Sequence, residues 1–276
     1  MNILKSESSK VKQKDIDLER HEAKYMIHPK QLPAIREFIA PFVHADPHAS
    51  GSPPEYIVTT LQLDTHSDML YMAKEINAIN RFKLRIRTYG TDHRAPIILE
   101  VKRKIKGIIV KTRAVVPAKL WDLDPNILMN PTKCIPFRSA KEEHNYLNFL
   151  RLVKLLDARP VTRIRYTRES YMGTYDDYSR VTFDRNILYQ PASNWEITPD
   201  NGRWLRMDSP VALNNPFSGI ILELKTFNDA PLWMLELVQR FSLVRTGFSK
   251  YFIARRLEFL FDGGLYSDTS ENCTYT

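Results

Sequence analysis

Basic residues recur at every second position through three successive stretches of the chain: Lys83, Arg85 and Arg87, then Lys102 and Lys104 after Glu100, then Lys111 and Arg113. Residues two apart on a β-strand project from the same face. Each stretch therefore reads as a strand with one charged face, and Leu84, Ile86, Val101 and Val110 fall on the other. The same phase recurs in Tyr166 with Arg168, in Arg180, Thr182 and Asp184, in Glu223 with Lys225, and near the start in Arg20, Glu22 and Lys24. One such face is an ordinary wet face. Several side by side are not, because like unit charges about 4 Å apart repel by about 4 kcal/mol at an effective dielectric near 20. Something anionic must sit among them, either protein carboxylates or a ligand, and carboxylates are few on these rows (Glu22, Glu100, Asp184 and Glu223). A closed antiparallel barrel lined by these faces would hold a polyanion and a metal.

The rest of the composition is compatible with that reading. The chain of 276 residues is 43% hydrophobic and 26% charged, which rules out a disordered protein and suffices for a core without disulfide or structural metal. Its 40 lysines and arginines exceed its 32 acidic residues, and the net charge of +8 favours an anionic partner. Two cysteines, Cys134 and Cys273, lie far apart without a CxxC partner. This excludes a zinc ribbon or a disulfide scaffold and fits a reducing compartment. The opening stretch is too polar for a signal peptide, and no apolar run approaches the ~20 residues of a membrane span, so a cytoplasmic location is expected. The glycine motifs of P-loop and Rossmann sites are missing, and the lack of RNP-type aromatic motifs argues against a specific nucleic-acid partner.

Three regions are expected: a polar leader over 1–17, one folded domain over 18–264 and a polar tail over 265–276. Within the domain, YIVTTLQLDT over 56–65 reads as a β-branched strand. THSDMLYMAKEINAINR follows as a helix with Met69, Met72, Ala73 and Ile76 at helical spacing. Three strands in 82–116 form a meander reversing near Gly90 and Gly107. The middle, 117–158, is helical and loop-rich. Strands return in TRIRYTRESYMG, SRVTFDRNILY and GIILELKTF, and helices close the chain around PLWMLELVQRFSLV and SKYFIARRLEFL. Sequential strands with helices between groups give an α+β class built on an antiparallel sheet, with the helices packed outside.

Eight motifs in order, ERHEAKY, LQLDTHSDMLY, KLRIRTYG, ILEVKRKIKGIIVKTRA, RYTRESY, RVTFDRNI, LELK and FSKY, resemble the VTC domain. This is the polyphosphate polymerase branch of the triphosphate tunnel metalloenzymes, related to the CYTH domains. The resemblance runs from about Glu19 to Phe261. It implies a barrel of roughly eight antiparallel strands enclosing a basic tunnel, and a transferase that moves the terminal phosphate of ATP onto polyphosphate with Mn2+ or Mg2+. By motif position it makes Arg85, Arg87, Lys102, Tyr166 and Arg168 catalytic, and Lys24, Lys111, Arg180 and Lys250 phosphate ligands. Glu223 falls at the metal-binding carboxylate, with Glu22 and Glu100 as further candidates. Two positions depart from the pattern. Arg20 stands where hydrolase relatives begin an ExExK row, and Gly247 stands where some members place a lysine before FSKY, with Arg245 as a substitute.

The same tunnel would also suit a hydrolase of tripolyphosphate or nucleoside triphosphates, or a non-catalytic module binding polyphosphate or inositol phosphates. A membrane partner receiving the polymer is left open. Other features have simpler readings. His44 and His48 lie in a Pro-interrupted loop rather than on a helix that would aim both at a metal. Asp64, His66 and Asp68 read as capping residues. Arg163 and Arg165 are out of phase with Tyr166 and are expected on the outer face as solvated charge. Trp233, Met234, Leu237, Val238 and Phe241 have core spacing, and Cys134 reads as structural.

Overall fold

A computed structural model describes residues 20–90, 95–106, 108–123, 135–176, 178–199, 203–214, 219–227 and 229–260. The leader over 1–17, the tail over 265–276, Gly107 and both cysteines lie outside them. The alternating segments form one antiparallel sheet. Its strands are β1 (Arg20–Ile27), β2 (Val43–Ala45), β3 (Glu55–Asp64), β4 (Arg81–Tyr89), β5 (Ile97–Ile105), β6 (Ile108–Val116), β7 (Arg159–Gly173), β8 (Arg180–Pro191), β9 (Leu205–Arg206) and β10 (Ile220–Phe227). The main path runs β1-β10-β8-β7-β3-β4-β5-β6, with β2 beside β7 and β9 beside β8. The sheet curls into an incomplete barrel, α+β in class. The expected closed ladder differs at one seam, since β1 and β6 end the path. The free edge of β1 is instead used by a loop: Thr246 donates its backbone N–H to the Lys24 carbonyl at 2.7 Å, and Tyr25 bridges to Arg245. Side chains span the gap, because Glu22 of β1 lies 3.6 Å from Lys102 Nζ of β5 and 3.9 Å from Lys111 Nζ of β6.

Helices cover the convex face where the strands turn their apolar residues. The described helices are α1 (Leu32–Ile39), α2 (Met69–Glu75), α3 (Ala118–Leu123), α4 (Ala140–Leu155), α5 (Pro210–Leu213), α6 (Leu232–Arg240) and α7 (Lys250–Leu260). Leu61, Leu84, Ile86, Leu99 and Val101 pack under Phe149, Leu150 and Val153 of α4. Ile27, Phe183, Leu222 and Leu224 pack under Ile35 and Ile39 of α1 and Met234 and Leu237 of α6. The expected core stripe of α6 is met by Met234 and Leu237, with Trp233, Val238 and Phe241 partly buried beside them. In α2 the stripe differs: Met69, Met72 and Ile76 are exposed, and Leu70 and Tyr71 are the buried pair. The helix is held from its first turn, where the Asp64 carboxylate accepts backbone N–H groups of Leu70 and Tyr71, each at 2.8 Å. Asp64 also accepts the Tyr251 hydroxyl, while Arg255 forks onto Asp68 with two 2.9 Å bonds, so α2 and α7 are locked together.

α7 lies on the concave side. Its Tyr251, Ala254 and Leu257 pack with Ile164 and Tyr166 of β7, Ile187 and Tyr189 of β8, and Ile221 of β10. A bulge makes this surface continuous. Between Arg165 and Thr167 of β7 the facing strand β8 carries one extra residue, and Asn186 adopts a left-handed φ of 50°. One extra residue inverts the side-chain alternation, so Ile187 and Tyr189 face the same side as Asp184.

Arg163 corrects the expectation of a solvated charge. It is only 4% exposed, and its guanidinium donates to the carbonyls of Glu196 (2.6 Å), Pro191 (3.3 Å) and Asn194 (3.3 Å) and to the Asn194 side chain. The loop after β8 folds over the strand, and its carbonyls take the charge's hydrogen bonds. Arg165 stacks over the Trp204 ring, 4.4 Å from its centroid. Arg163→Ala is expected to destabilise the fold by about 3 kcal/mol, because it leaves several carbonyls without a donor. Arg151→Ala, at an exposed position of α4, is expected to cost less than about 0.5 kcal/mol. Urea denaturation of both variants checks this, and equal small losses would restore the solvated reading.

Candidate functional site

The curled sheet and α7 enclose a cavity of about 950 Å³, lined over its whole length by sixteen lysine and arginine side chains and two carboxylates, Glu22 and Glu223. Lys24 on β1, Arg85 and Arg87 on β4, Lys102 on β5, Lys111 on β6, Tyr166 and Arg168 on β7, Arg180 on β8, Glu223 on β10 and Lys250 at the start of α7 all border it. Every one except Lys250 is a strand position that the period-two argument puts on the charged face. Glu100 is buried directly behind them, 1% exposed.

Four carboxylates organise these cations. Glu100 accepts Arg85 Nε at 2.7 Å on one oxygen and Arg113 Nε at 2.8 Å on the other. Asp184 accepts a two-pronged bond from Arg168 (2.7 and 2.8 Å) and a third from Lys250 Nζ at 2.5 Å. Glu22 lies 3.2 Å from Lys24 Nζ and reaches Lys102 and Lys111 across the seam. Glu223 lies 2.6 Å from Lys225 Nζ, 3.8 Å from Arg168 and 4.0 Å from Lys24. The forks fix the arginine planes. Tyr166 adds its ring under Lys250, 4.2 Å from the ammonium, and under Arg168 at 5.3 Å.

The electrostatics follow from burial set against these partners. Burial pushes the Asp184 carboxyl up, but Arg168 and Lys250 outweigh it and bring it down to about 2. Burial and the neighbouring Glu223 push Glu22 up, and Lys102, Lys24 and Lys225 prevail, lowering it to about 2. Glu100 and Glu223 are likewise held far below the usual carboxylate range despite burial, Glu100 chiefly by Arg85 and Glu223 chiefly by Lys225. Three lysines are lowered as well, because burial outweighs their carboxylate partners, whereas at Lys24 burial is outweighed by Glu223 and Glu22 and the value is raised. Burial lowers Lys102 to about 7, with Lys24 and Lys111 adding repulsion that Glu22 only partly offsets, and burial with Lys225 lowers Lys111 to about 8. Lys83, bonded to Ser249 Oγ at 2.7 Å, is held well below its ordinary value, by burial and then by Lys102, Lys24 and Arg85. The cavity thus holds more positive charge than its carboxylates neutralise. Two of its lining side chains, Gln62 and Arg87, each have a buried polar atom (Oε1 and Nε) without a partner.

Lys83, Asp184 and Lys225 belong to this constellation although the motif reading did not select them; their signal was the same-face phase with Arg85, Thr182 and Glu223. Arg180 is exposed where β8 begins, opposite Lys225 in the ladder. At Gly247 a Cβ would meet nothing within 4 Å, so the wall has room where some relatives carry a lysine. Arg245 borders the cavity nearby and donates to the Glu22 carbonyl at 3.5 Å. No group of three or more His, Cys, Asp or Glu gathers among the described residues. A hard cation held by one or two carboxylates, phosphate oxygens and water does not need such a group. Glu223 and Glu22 fit that donor set: each pairs with a lysine through Oε1, while the cations facing Oε2 lie at 3.8 Å for Glu223 and 3.6 Å for Glu22, whereas both oxygens of Glu100 and of Asp184 are hydrogen-bonded to Arg and Lys.

The depressed lysines make a pH prediction. Between pH 7 and 10 the unfolded chain binds more protons than the empty folded protein, so stability rises with pH through that window. Chemical denaturation at pH 6.5, 7.5 and 8.5 in phosphate-free buffer is expected to show a gain of about 1 kcal/mol per pH unit above pH 7. Lys102→Met, which removes one of these groups, is expected to flatten the rise. Identical profiles for the two proteins would contradict the assignment.

No helix among the described residues is long and apolar enough to cross a membrane. No curated protein sequence matches the chain significantly. Among solved structures, that of the PH1819 protein from Pyrococcus horikoshii OT3 is similar over 87% of this chain and 98% of that one, at 10% sequence identity and a TM-score of 0.43, a likeness too distant to carry an argument. The model of the VTC domain matches residues 19–259, all but the ends of the chain, and with the basic cavity in the curled sheet it shows that this chain belongs to the VTC-domain family.

Proposed function

We propose that the cavity is the active site of a polyphosphate polymerase that transfers the terminal phosphate of ATP to a polyphosphate chain, with Mn2+ or Mg2+ at Glu223. The observation that carries this reading is the excess of fixed positive charge in an enclosed space, sixteen basic side chains against two lining carboxylates. Polyphosphate and ATP are the ligand class that suits a basic cavity of about 950 Å³ in this family. Phosphoryl transfer asks for positioning and charge neutralisation more than for a covalent nucleophile. Arg85, Arg87 and Arg168 offer planar forks to phosphate oxygens, while Lys24, Lys102, Lys111 and Lys250 act as point charges. Arg180 serves the exposed rim. The Tyr166 hydroxyl is a further donor. A divalent cation, when bound, neutralises phosphate oxygens and the charge that develops on the leaving group.

In the step itself the bond from the γ-phosphorus to the β,γ-bridging oxygen breaks, ADP leaves, and a new P–O bond forms to a terminal oxygen of the polyphosphate. That oxygen is already anionic, so no general base is needed. Burial lowers the proton affinity of Lys83, Lys102 and Lys111 in the empty site, and a phosphate anion beside them would raise it again and favour their charged form.

Incubation of the purified protein with ATP and Mn2+ is expected to yield polyphosphate chains resolvable by gel electrophoresis. Glu223→Gln is expected to retain tripolyphosphate binding and lose turnover by about 100-fold or more. Free phosphate without chains would replace the transferase with a hydrolase. Binding without turnover would leave a binding module, and a near-normal Glu223→Gln rate with unchanged Mn2+ dependence would take the metal away from Glu223.

A further inference from the structure

The two outer edges of the sheet face each other across a gap. The main path ends at β1 and β6, and without a ladder these edges stand farther apart than the ~4.8 Å of paired strands. On one side of the gap, α4 covers only the end of β6: the Val115 N–H donates to Glu142 Oε1 at 3.0 Å, and the Arg113 carbonyl accepts from Asn145 Nδ2 at 2.9 Å. By the alternation of an antiparallel edge, Ile109 and Lys111 turn the same backbone groups toward the gap. No backbone hydrogen bond joins those groups to a described residue beyond β5. On the other side stand β1 and the loop at Thr246, and a Cβ added at Gly247 would meet only open space. Ile109, Lys111 and Gly247 all border the cavity, so the gap opens into it along a side rather than at an end.

What holds this gap shut is charge, and little of it. Among the described residues the ion pairs that cross it are those of Glu22 with Lys102 Nζ at 3.6 Å and with Lys111 Nζ at 3.9 Å, both longer than a hydrogen bond. Other forces across it push. Beyond burial, the charge of Lys225 on β10 lowers the Lys111 ammonium, and that of Lys24 on β1 lowers Lys102 against the pull of Glu22. A single carboxylate therefore serves two lysines beyond the gap, whereas every unit of a phosphate chain brings a negative charge of its own. Glu22 keeps its nearest partner, Lys24 at 3.2 Å, when it releases the other two. The exchange needs one side chain to turn and no strand to move.

We propose that the seam between β1 and β6 is a side entrance latched by Glu22, through which an internal stretch of polyphosphate enters the cavity without presenting a free end. The inference rests on the polymerase reading and adds a class of ligand to it, polyphosphate whose ends are blocked. A closed tunnel would admit a polymer only by threading an end. Here the phosphates of the chain replace Glu22 as counter-ions of Lys102 and Lys111, and the latch closes on the two lysines again when the chain leaves.

The test uses polyphosphate of several tens of units with each terminal phosphate linked to streptavidin, a folded protein too wide to pass along the cavity. In displacement calorimetry without divalent cation, this capped polymer is expected to remove bound tripolyphosphate from the wild-type protein with an affinity within about threefold of that of uncapped polymer. Displacement by uncapped polymer alone would overturn the side entrance, since only ends would then be admitted. Capped polymer that binds without displacing tripolyphosphate would overturn it too, because it would lie outside the cavity. The latch is read from rates. In stopped-flow mixing, Glu22→Gln is expected to raise the association rate of capped polymer about tenfold more than that of tripolyphosphate, which is short enough to enter by the ends. The ratio of the two rates cancels the uniform effect of one lost negative charge, and an unchanged ratio would overturn the latch. Melting curves check that the variant remains folded, and the displacement result on the wild type stands without it. Wild type that binds neither tripolyphosphate nor uncapped polymer would bring down the polymerase reading itself, whereas failure of the capped polymer alone would remove only this inference.

Discussion

Everything in this structure depends on the near-balance between the basic rows of the sheet and four carboxylates buried among them. Without Glu22, Glu100, Asp184 and Glu223 the lysines and arginines of seven strands would face one another at a few ångströms in a medium poorer than water at screening charge. With them, the planes of Arg85, Arg113 and Arg168 are fixed and each buried carboxylate stays ionised. The balance is incomplete by design of the residue content. Lys83 is bonded to a serine hydroxyl, and the Nε of Arg87 has no partner. Removing one member of such a buried pair costs more than the pair itself contributes, because the survivor is left charged and dry. The site is therefore a rigid frame with positive charge to spare, which is the physical requirement for holding a polyanion in an extended form.

The frame is completed from outside the sheet. Lys250 reaches Asp184 only because α7 lies across the concave face, and α7 lies there because Tyr251 is tied to Asp64 and Arg255 to Asp68. Those two aspartates also organise the entry of α2. One short acidic segment, from Asp64 at the end of β3 to Asp68, thus sets both α2 and the helix that brings Lys250 to the cavity. The bulge in β8 performs a matching task on the sheet. It turns Ile187 and Tyr189 toward α7 without moving Asp184 off the cavity side.

Much of this was legible in the sequence because a strand's periodicity is simple. The rows Lys83-Arg85-Arg87, Lys102-Lys104, Lys111-Arg113 and Glu223-Lys225 stand on one side of the sheet, as their spacing requires. The curled antiparallel sheet followed from packing those rows together. What spacing could not show was anything that depends on a break in period or on a distant loop. Arg163 sits on the outer face as expected, yet the loop containing Asn194 and Glu196 buries it, and a loop's path leaves no periodic trace. The seam between β1 and β6 stays without a ladder because Thr246, more than two hundred residues from Lys24, occupies the edge. The motifs also passed over Lys83 and Asp184, since a ligand list drawn from a resemblance selects family positions and not every side chain that shares their face.

The central claim is that the fixed charge of the cavity is matched by phosphate anions and not by the protein itself. Its most direct test is calorimetric titration of the full chain with tripolyphosphate across a series of salt concentrations, without divalent cation. The account predicts one saturable site per chain whose affinity falls steeply and linearly on a log–log plot, since several cation–phosphate contacts release or exclude counterions together. Binding that is absent at low salt, or that is insensitive to ionic strength, would contradict it and would mean that the buried carboxylates already neutralise the site.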